Sequence, residues 1–368
     1  MEPKTKKILI YILIIFGVIA VILGLTLGLV FGLKKKDKDK EEEIEIVDSY
    51  DNTDELIQKF PVNNPTTVQD GLEKKIQNRL LTGFENWNRG FKAWKKWGDI
   101  LYTNASIYNV HGARLTLAQY QKSMDITLKQ ANILMGDFHN MLICGNFTAI
   151  YYDIITIKGD TKINGTVMEF VLFKDYGEEL GTRVVVGWGG SKDSSFNSMR
   201  YFQGDEEKMI QDEQIHLLLN YKIPTSGTPR QRYPVLYPSE YIDTVKANKF
   251  IDIILDGFDK WNANDNLATY ISWLDTGYFS DALSYGLKGE KRTMTEYKSA
   301  MQTLGAKEKI EKLYFDNILI RDNWAALHYR YRSEDLTTHE KYVGDRMQFL
   351  KFKEDGSNNF KIEMSWIK

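Results

Sequence analysis

The stretch GFENWN, from Gly83 to Asn88, returns as GFDKWN from Gly257 to Asn262, 174 residues later in a chain of 368. Its surroundings return with it. Ile76, Leu80, Phe84 and Trp87 answer Phe250, Ile254, Phe258 and Trp261, and their spacing of four, four and three marks one face of a helix. LAQYQKSM (Leu117 to Met124) answers TEYKSAM (Thr295 to Met301). DFHNMLICGNFTAIYY (Asp137 to Tyr152) answers YFDNILIRDNWAALHY (Tyr314 to Tyr329), EFVLFKDYG from Glu169 answers QFLKFKEDG from Gln348, and Trp188 answers Trp366, all at offsets of 177 to 179. Offsets that drift this little over more than a hundred positions mean a duplicated unit with small insertions. Whatever fold the chain takes, it takes twice.

Each unit reads alike. A long amphipathic helix comes first, with Thr66 or Thr67 as the expected cap in one copy and Ser239 in the other, each close behind a proline. FKAWKKWGDIL and LTLAQYQKSM are shorter helices, separated by the short strand ASIYNV. Two hairpins close the unit. The first turns at Gly145-Asn146 and at Asp322-Asn323; the second pairs VMEFVLFKDYG with TRVVVGW, and RMQFLKFKEDG with FKIEMSW. Helices followed by an antiparallel meander predict an α+β fold with helices on one sheet face. The expected organisation is a short tail over 1–7, a transmembrane helix over 8–33, a charged spacer over 34–65, units at 66–190 and 239–368, and a proline-rich linker over 191–238.

The transmembrane helix is expected because Ile8 to Leu33 is 26 residues without a charge, where about 20 cross the hydrocarbon core. The run is too long for a cleaved signal peptide and ends in Lys34, Lys35 and Lys36. The net charge of -2 therefore divides into +5 over residues 1–40 and -7 over the remainder, and a mildly acidic body argues against nucleic acid as a partner. The bilayer is the expected partner, with pairing of the two units within the chain. Lysines flank both ends of the span, whereas a single Cys and the acceptor sequons at Asn104, Asn146 and Asn164 tilt the reading towards an extracytoplasmic body. One Cys and five scattered His also leave no metal-ligand pattern, and no cofactor motif is present.

NRGFKAW after the first helix, the hairpin NMLICGNFTAIYY, and FVLFKDYG before VVVGW together resemble the SnoaL-like branch of the nuclear transport factor 2-like superfamily. The resemblance covers nearly all of the body, in two tandem copies. It implies a sheet curled around helices into a cone whose mouth is a pocket. Strand alternation then turns Ile150, Tyr152 and Ile154 inward in one copy and Leu327, Tyr329 and Tyr331 in the other, and turns Tyr151, Asp153, His328 and Arg330 away. Trp87, Tyr102, Asn109, Tyr152, Trp261, Tyr285, Tyr329 and Tyr331 are the expected pocket residues.

Isomerase-like relatives carry a basic carboxylate on the short strand after the second helix. The corresponding positions here are Asn109 and Tyr285, and VVVGWGG and IEMSWIK hold no Asp or His. His111, in the following loop, is the remaining acid-base candidate. The expectation is a binding or interaction module for a small apolar ligand without full catalytic machinery. The alternatives are a cyclase, isomerase or dehydratase using His111 with Tyr102, Tyr152 or Tyr329, and a purely architectural pseudo-dimer.

Overall fold

The computed structural model divides the chain into Met1–Ile44 and Glu45–Lys368 and describes residues 46–47, 53–110, 113–177, 181–190, 216–287, 289–356 and 359–368. The apolar run 8–33, His111 and the first part of the expected linker lie outside the described residues. No helix among the described residues is long and apolar enough to cross a membrane.

The first half runs α1 (Thr53–Lys59), β1 (Val62–Asn64), α2 (Leu72–Asn88), α3 (Phe91–Leu101), β2 (Tyr102–Val110), β3 (Ala113–Thr116), α4 (Leu117–Gln130), β4 (Asn132–Cys144), β5 (Phe147–Lys158), β6 (Thr161–Asp175) and β7 (Thr182–Gly190). After the short helix α5 (Pro229–Arg232), the second half runs α6 (Thr244–Trp261), α7 (Ala268–Gly277), β8 (Tyr278–Tyr285), β9 (Lys291–Thr293), α8 (Met294–Gly305), β10 (Glu308–Arg321), β11 (Trp324–Asp335), β12 (Lys341–Glu354) and β13 (Phe360–Ile367). The sheets are ordered β1-β4-β5-β6-β7-β2-β3 and β10-β11-β12-β13-β8-β9, so the second repeats the first without its edge strand β1. Pairing is antiparallel except for β1 with β4, β2 with β7 and β8 with β13.

The repeated hexapeptide is the joint between helix and sheet in both halves. Its glycine carries an indole from the next helix: a Cβ on Gly83 would lie 2.5 Å from Trp97, and one on Gly257 2.7 Å from Trp273. Its phenylalanine stacks on the sheet, Phe84 on Phe138 at 4.5 Å and Phe258 on Phe315 at 4.4 Å. The tryptophan indole nitrogen donates to a strand carbonyl, Trp87 to Ile133 at 2.7 Å and Trp261 to Ile310 at 3.0 Å. The asparagine amide grips both backbone groups of one strand residue, Asn88 those of Met135 and Asn262 those of Lys312, over 2.7 to 3.0 Å. Both gripped residues sit beside a break in strand register. There the ladder leaves a backbone N–H and C=O to be satisfied by another partner.

Each sheet is covered on both sides. One face packs on the helices of its own half. The other forms a third buried cluster, in which Phe147, Ala149, Tyr151 and Phe170 meet Trp324, Ala326, Met347 and Phe349. Strands buried on both faces read as near-continuous apolar runs rather than as alternation, which is why NMLIC and FVLF look as they do. The segment that precedes the second half is also packed in place. Arg332 donates to the carbonyls of Leu219 and Tyr221, and Val235 bridges to Phe315.

The expected caps are placed elsewhere. Helix α2 starts after Gly71 at φ +82°, and Asp243 caps α6 by accepting from the Lys246 amide at 3.0 Å. Thr67 instead donates from its amide (2.6 Å) and hydroxyl (3.0 Å) to Asp322 in the β10–β11 turn, Thr66 donates to the Met141 carbonyl, and Ser239 accepts from Asn317. Local pattern located the helices but not their ends, because those three side chains are used in tertiary contacts.

Beside the Thr67 clip lies a buried ion pair. Arg321 donates to Glu73 at 2.6 Å and to the Ile143 carbonyl, and the same carboxylate accepts from the amides of Gln69 and Gly145. Glu73 and Arg321 are 3 % and 2 % exposed. Removing one partner strands the other charge, so Glu73→Ala is expected to lower the unfolding free energy by about 3–5 kcal/mol, read from the chemical denaturation midpoint. A loss below about 1 kcal/mol, the scale of an exposed pair, would show that the pair does not hold the halves together.

Candidate functional site

Between α2, α3, α4 and the inner face of the first sheet is a cavity of about 290 Å³. Its wall is a chain of rings. Trp87 meets Trp94 edge-on at 5.2 Å, Trp94 meets Tyr120 at 5.6 Å, and Tyr120 stacks on Tyr108 at 4.2 Å. Tyr108 has room because the strand beside it carries glycine: a Cβ on Gly187 would run into its ring. The GWGG stretch thus makes space for a phenol.

Glu169, on β6, lines this cavity. The Tyr152 hydroxyl donates to Glu169 Oε1 at 2.9 Å, and Tyr108 is a second phenol bonded to the carboxyl. Burial pushes the Glu169 carboxyl above the usual range, although the two phenols pull it back down. Burial and the nearby Glu169 also hold Tyr108, Tyr120 and Tyr152 well above an ordinary phenol. The site therefore presents one carboxyl whose neutral form is favoured by burial, beside several phenols held as neutral donors.

The second half encloses a cavity of about 350 Å³. Trp261, Tyr270, Tyr297, Tyr329 and Tyr331 line it, with the Tyr270 and Tyr297 hydroxyls 3.2 Å apart. Where the first cavity has Glu169, the second has Gln348, and where the first has Met135, the second has Lys312.

Trp87, Tyr102 and Tyr152 line the first cavity, and Trp261, Tyr329 and Tyr331 the second. Asn109 pairs with Trp188 in the β2–β7 ladder, and its side chain lies outside the described residues. Tyr285 is corrected: it stacks on Trp366 at 5.2 Å, away from the cavity, because it pairs with that residue and Trp366 packs on the cluster between the sheets. Its neighbour Ser284 lines the cavity instead. His328 is buried between the sheets, bonded to Asp345 at 2.7 Å with Phe170 and Trp188 against its ring. Asn104, Asn146 and Asn164 are exposed. The sole cysteine, Cys144, is buried, and burial raises its thiol to about 11.

The expectation of cavities without a carboxylate is overturned by Glu169. The carboxyl sits neither on the short strand β2 nor on the final strand β7 but on β6, the neighbour of β7 on the side away from β2. A signal was available: in the β5–β6 ladder Glu169 lies opposite Ile150, and residues opposite one another share a face. Lys312 was missed because a lysine in EKLYFDN reads as a solvated strand residue. Its neighbours alone turn it inward.

No protein-family model matches the chain, and no curated protein matches it. Solved structures similar to about a third of it include a putative SnoaL-like polyketide cyclase from Jannaschia sp. CCS1 (10% identity, 34% of this chain and 90% of that one, TM-score 0.29). Others are AclR, a putative hydroxylase from Streptomyces galilaeus (14%, 33% and 89%, TM-score 0.28), and a ketosteroid isomerase-like protein from Erwinia carotovora atroseptica (8%, 34% and 96%, TM-score 0.28).

The upward shift of Glu169 has a definite sign. A carboxyl whose folded pKa exceeds its unfolded one contributes stability fully below the unfolded value of 4.5, and that contribution is lost as pH rises through the folded value. Glu169→Gln is therefore expected to gain stability relative to the native chain between pH 4.5 and neutrality, measured by urea unfolding across that window. Parallel pH curves for the two proteins would contradict the burial of this group.

Proposed function

We propose that each half of the chain holds a small, mostly apolar molecule in its cavity, and that the apolar run 8–33 keeps the protein at a bilayer. The observation that carries the binding reading is the pair of ring-lined cavities, each of small-ligand size, with Glu169 at the wall of the first and Lys312 at the wall of the second. In the first cavity that side chain favours a ligand with an oxygen to receive a proton: a ketone or enone suits a protonated Glu169 backed by phenols.

Glu169 also favours a second reading, an enzyme of the isomerase, cyclase or dehydratase type. As a carboxylate it can take a proton from the carbon next to a carbonyl. Tyr102 or Tyr120, both held neutral by burial, can donate to the oxygen on which charge develops. His111 is not needed in this scheme.

Thermal shift with 1-tetralone and with tetralin, of nearly the same shape, separates oxygen recognition from simple burial. The ketone is expected to raise the melting temperature more than the hydrocarbon, and Glu169→Leu to erase the difference. Equal shifts, or none, would refute the reading of the first cavity. The catalytic version adds an NMR measurement of hydrogen–deuterium exchange next to the carbonyl of 1-tetralone in D2O. Faster exchange with the native chain than with Glu169→Gln supports catalysis, and equal rates reject it.

A further inference from the structure

Lys312 is a lysine in an unusual place. It is 7 % exposed and lines the second cavity. Its Nζ lies 4.2 Å from the centre of the Trp261 ring, 4.5 Å from that of Phe258, 5.2 Å from that of Tyr329 and 5.7 Å from that of Tyr270. No carboxylate among the described residues lies within ion-pair distance of it. Glu311, next in sequence, is turned to the other side and pairs with Arg332 at 2.6 Å. Glu290, which lines the same cavity, pairs with Arg292 at 2.7 Å.

The backbone below this amine is held rigidly. Asn262 of the repeated hexapeptide accepts from the Lys312 amide at 3.0 Å and donates to its carbonyl at 2.8 Å. The first half makes the same grip on Met135, a side chain of similar length without the amine. The frame therefore does not require a lysine here. A buried amine without a counter-charge is destabilising in its charged form, so burial draws the Lys312 ammonium down to about 7. At neutral pH a large fraction of it carries a free lone pair, which an exposed lysine lacks.

We infer that Lys312 is an amine nucleophile that captures a small aromatic or aliphatic aldehyde or ketone in the second cavity as a Schiff base. The Nζ lone pair forms a bond to the carbonyl carbon, the carbonyl π pair moves to oxygen, and one of the two nitrogen protons passes to that oxygen. The resulting carbinolamine expels that oxygen as water, taking up one proton and releasing the one on nitrogen. The net change is amine plus carbonyl giving imine plus water, and no oxidant or reductant is consumed. The rings that surround the amine form an apolar wall for the carbonyl compound's own ring or chain. This site stands independently of the first cavity: it uses neither Glu169 nor any residue of that wall.

The test uses the full chain in detergent, incubated at pH 7.5 with benzaldehyde and sodium cyanoborohydride, which fixes an imine as a benzylamine. Peptide mass mapping is expected to find the adduct on Lys312 at least about tenfold ahead of any exposed lysine. Lys312→Met, which copies the residue of the first half and is therefore expected to fold, should lose that adduct while keeping the native near-ultraviolet circular dichroism. Lys312→Arg, which keeps the charge but cannot form an imine, should lose it as well. An unmodified Lys312 beside modified surface lysines would overturn the proposal, as would protection by benzoate without any benzaldehyde adduct, the result expected of a site that only pairs with carboxylates.

Discussion

Both sheets have two buried faces, and the rest of the structure follows from that constraint. A strand that must satisfy helices on one side and another sheet on the other has no solvent face on which to place a charge without a partner. Several of the polar groups in its central stretch are accordingly paired or turned to a cavity, although the buried Asn140 amide on β4 has no hydrogen-bond partner among the described residues. Arg321 bonds Glu73, Arg330 bonds Asp316 at 2.6 Å, and His328 bonds Asp345. Glu169 and Lys312 are turned to the cavities. Because alternate residues point to opposite faces, one step in register would exchange cavity for seam along the whole strand.

The repeat preserves the frame and varies what it encloses. Gly, Phe, Trp and Asn of the hexapeptide make the same contacts in both halves, yet the residues that reach the cavities differ in kind. Met135 and Glu169 face one space, Lys312 and Gln348 the other. The strand that carries Gly187 beside Tyr108 in the first half carries Ser365 beside Ser284 in the second, with the two serine hydroxyls 3.1 Å apart. An acid in one interior and an amine in the other each destabilise the fold when buried.

Much of this was legible in the residues. The duplication, the hairpin turns and the inward parity of Tyr152 and Tyr329 follow from spacing and alternation, which are local. The helix starts were not, because Thr67 is drawn across to Asp322, 255 residues away, and Asp243 supplies the cap that Ser239 was expected to give. Tyr285 pointed the wrong way for a similar reason: its partner is Trp366, brought beside it by a parallel pairing that sequence order does not suggest. Glu169 and Lys312 were hidden by their own chemistry. Charged residues on strands read as solvated until the packing on each side is known.

The two halves form one body joined through the buried faces of their sheets. Native-state hydrogen exchange tests this most directly, since amides that open only on global unfolding report the cooperative unit. The amides of Phe147 to Tyr152 and of Trp324 to Tyr329 are expected to share the same highest protection and to lose it together as denaturant is added. Two separate steps, with one sheet exchanging while the other stays protected, would contradict it.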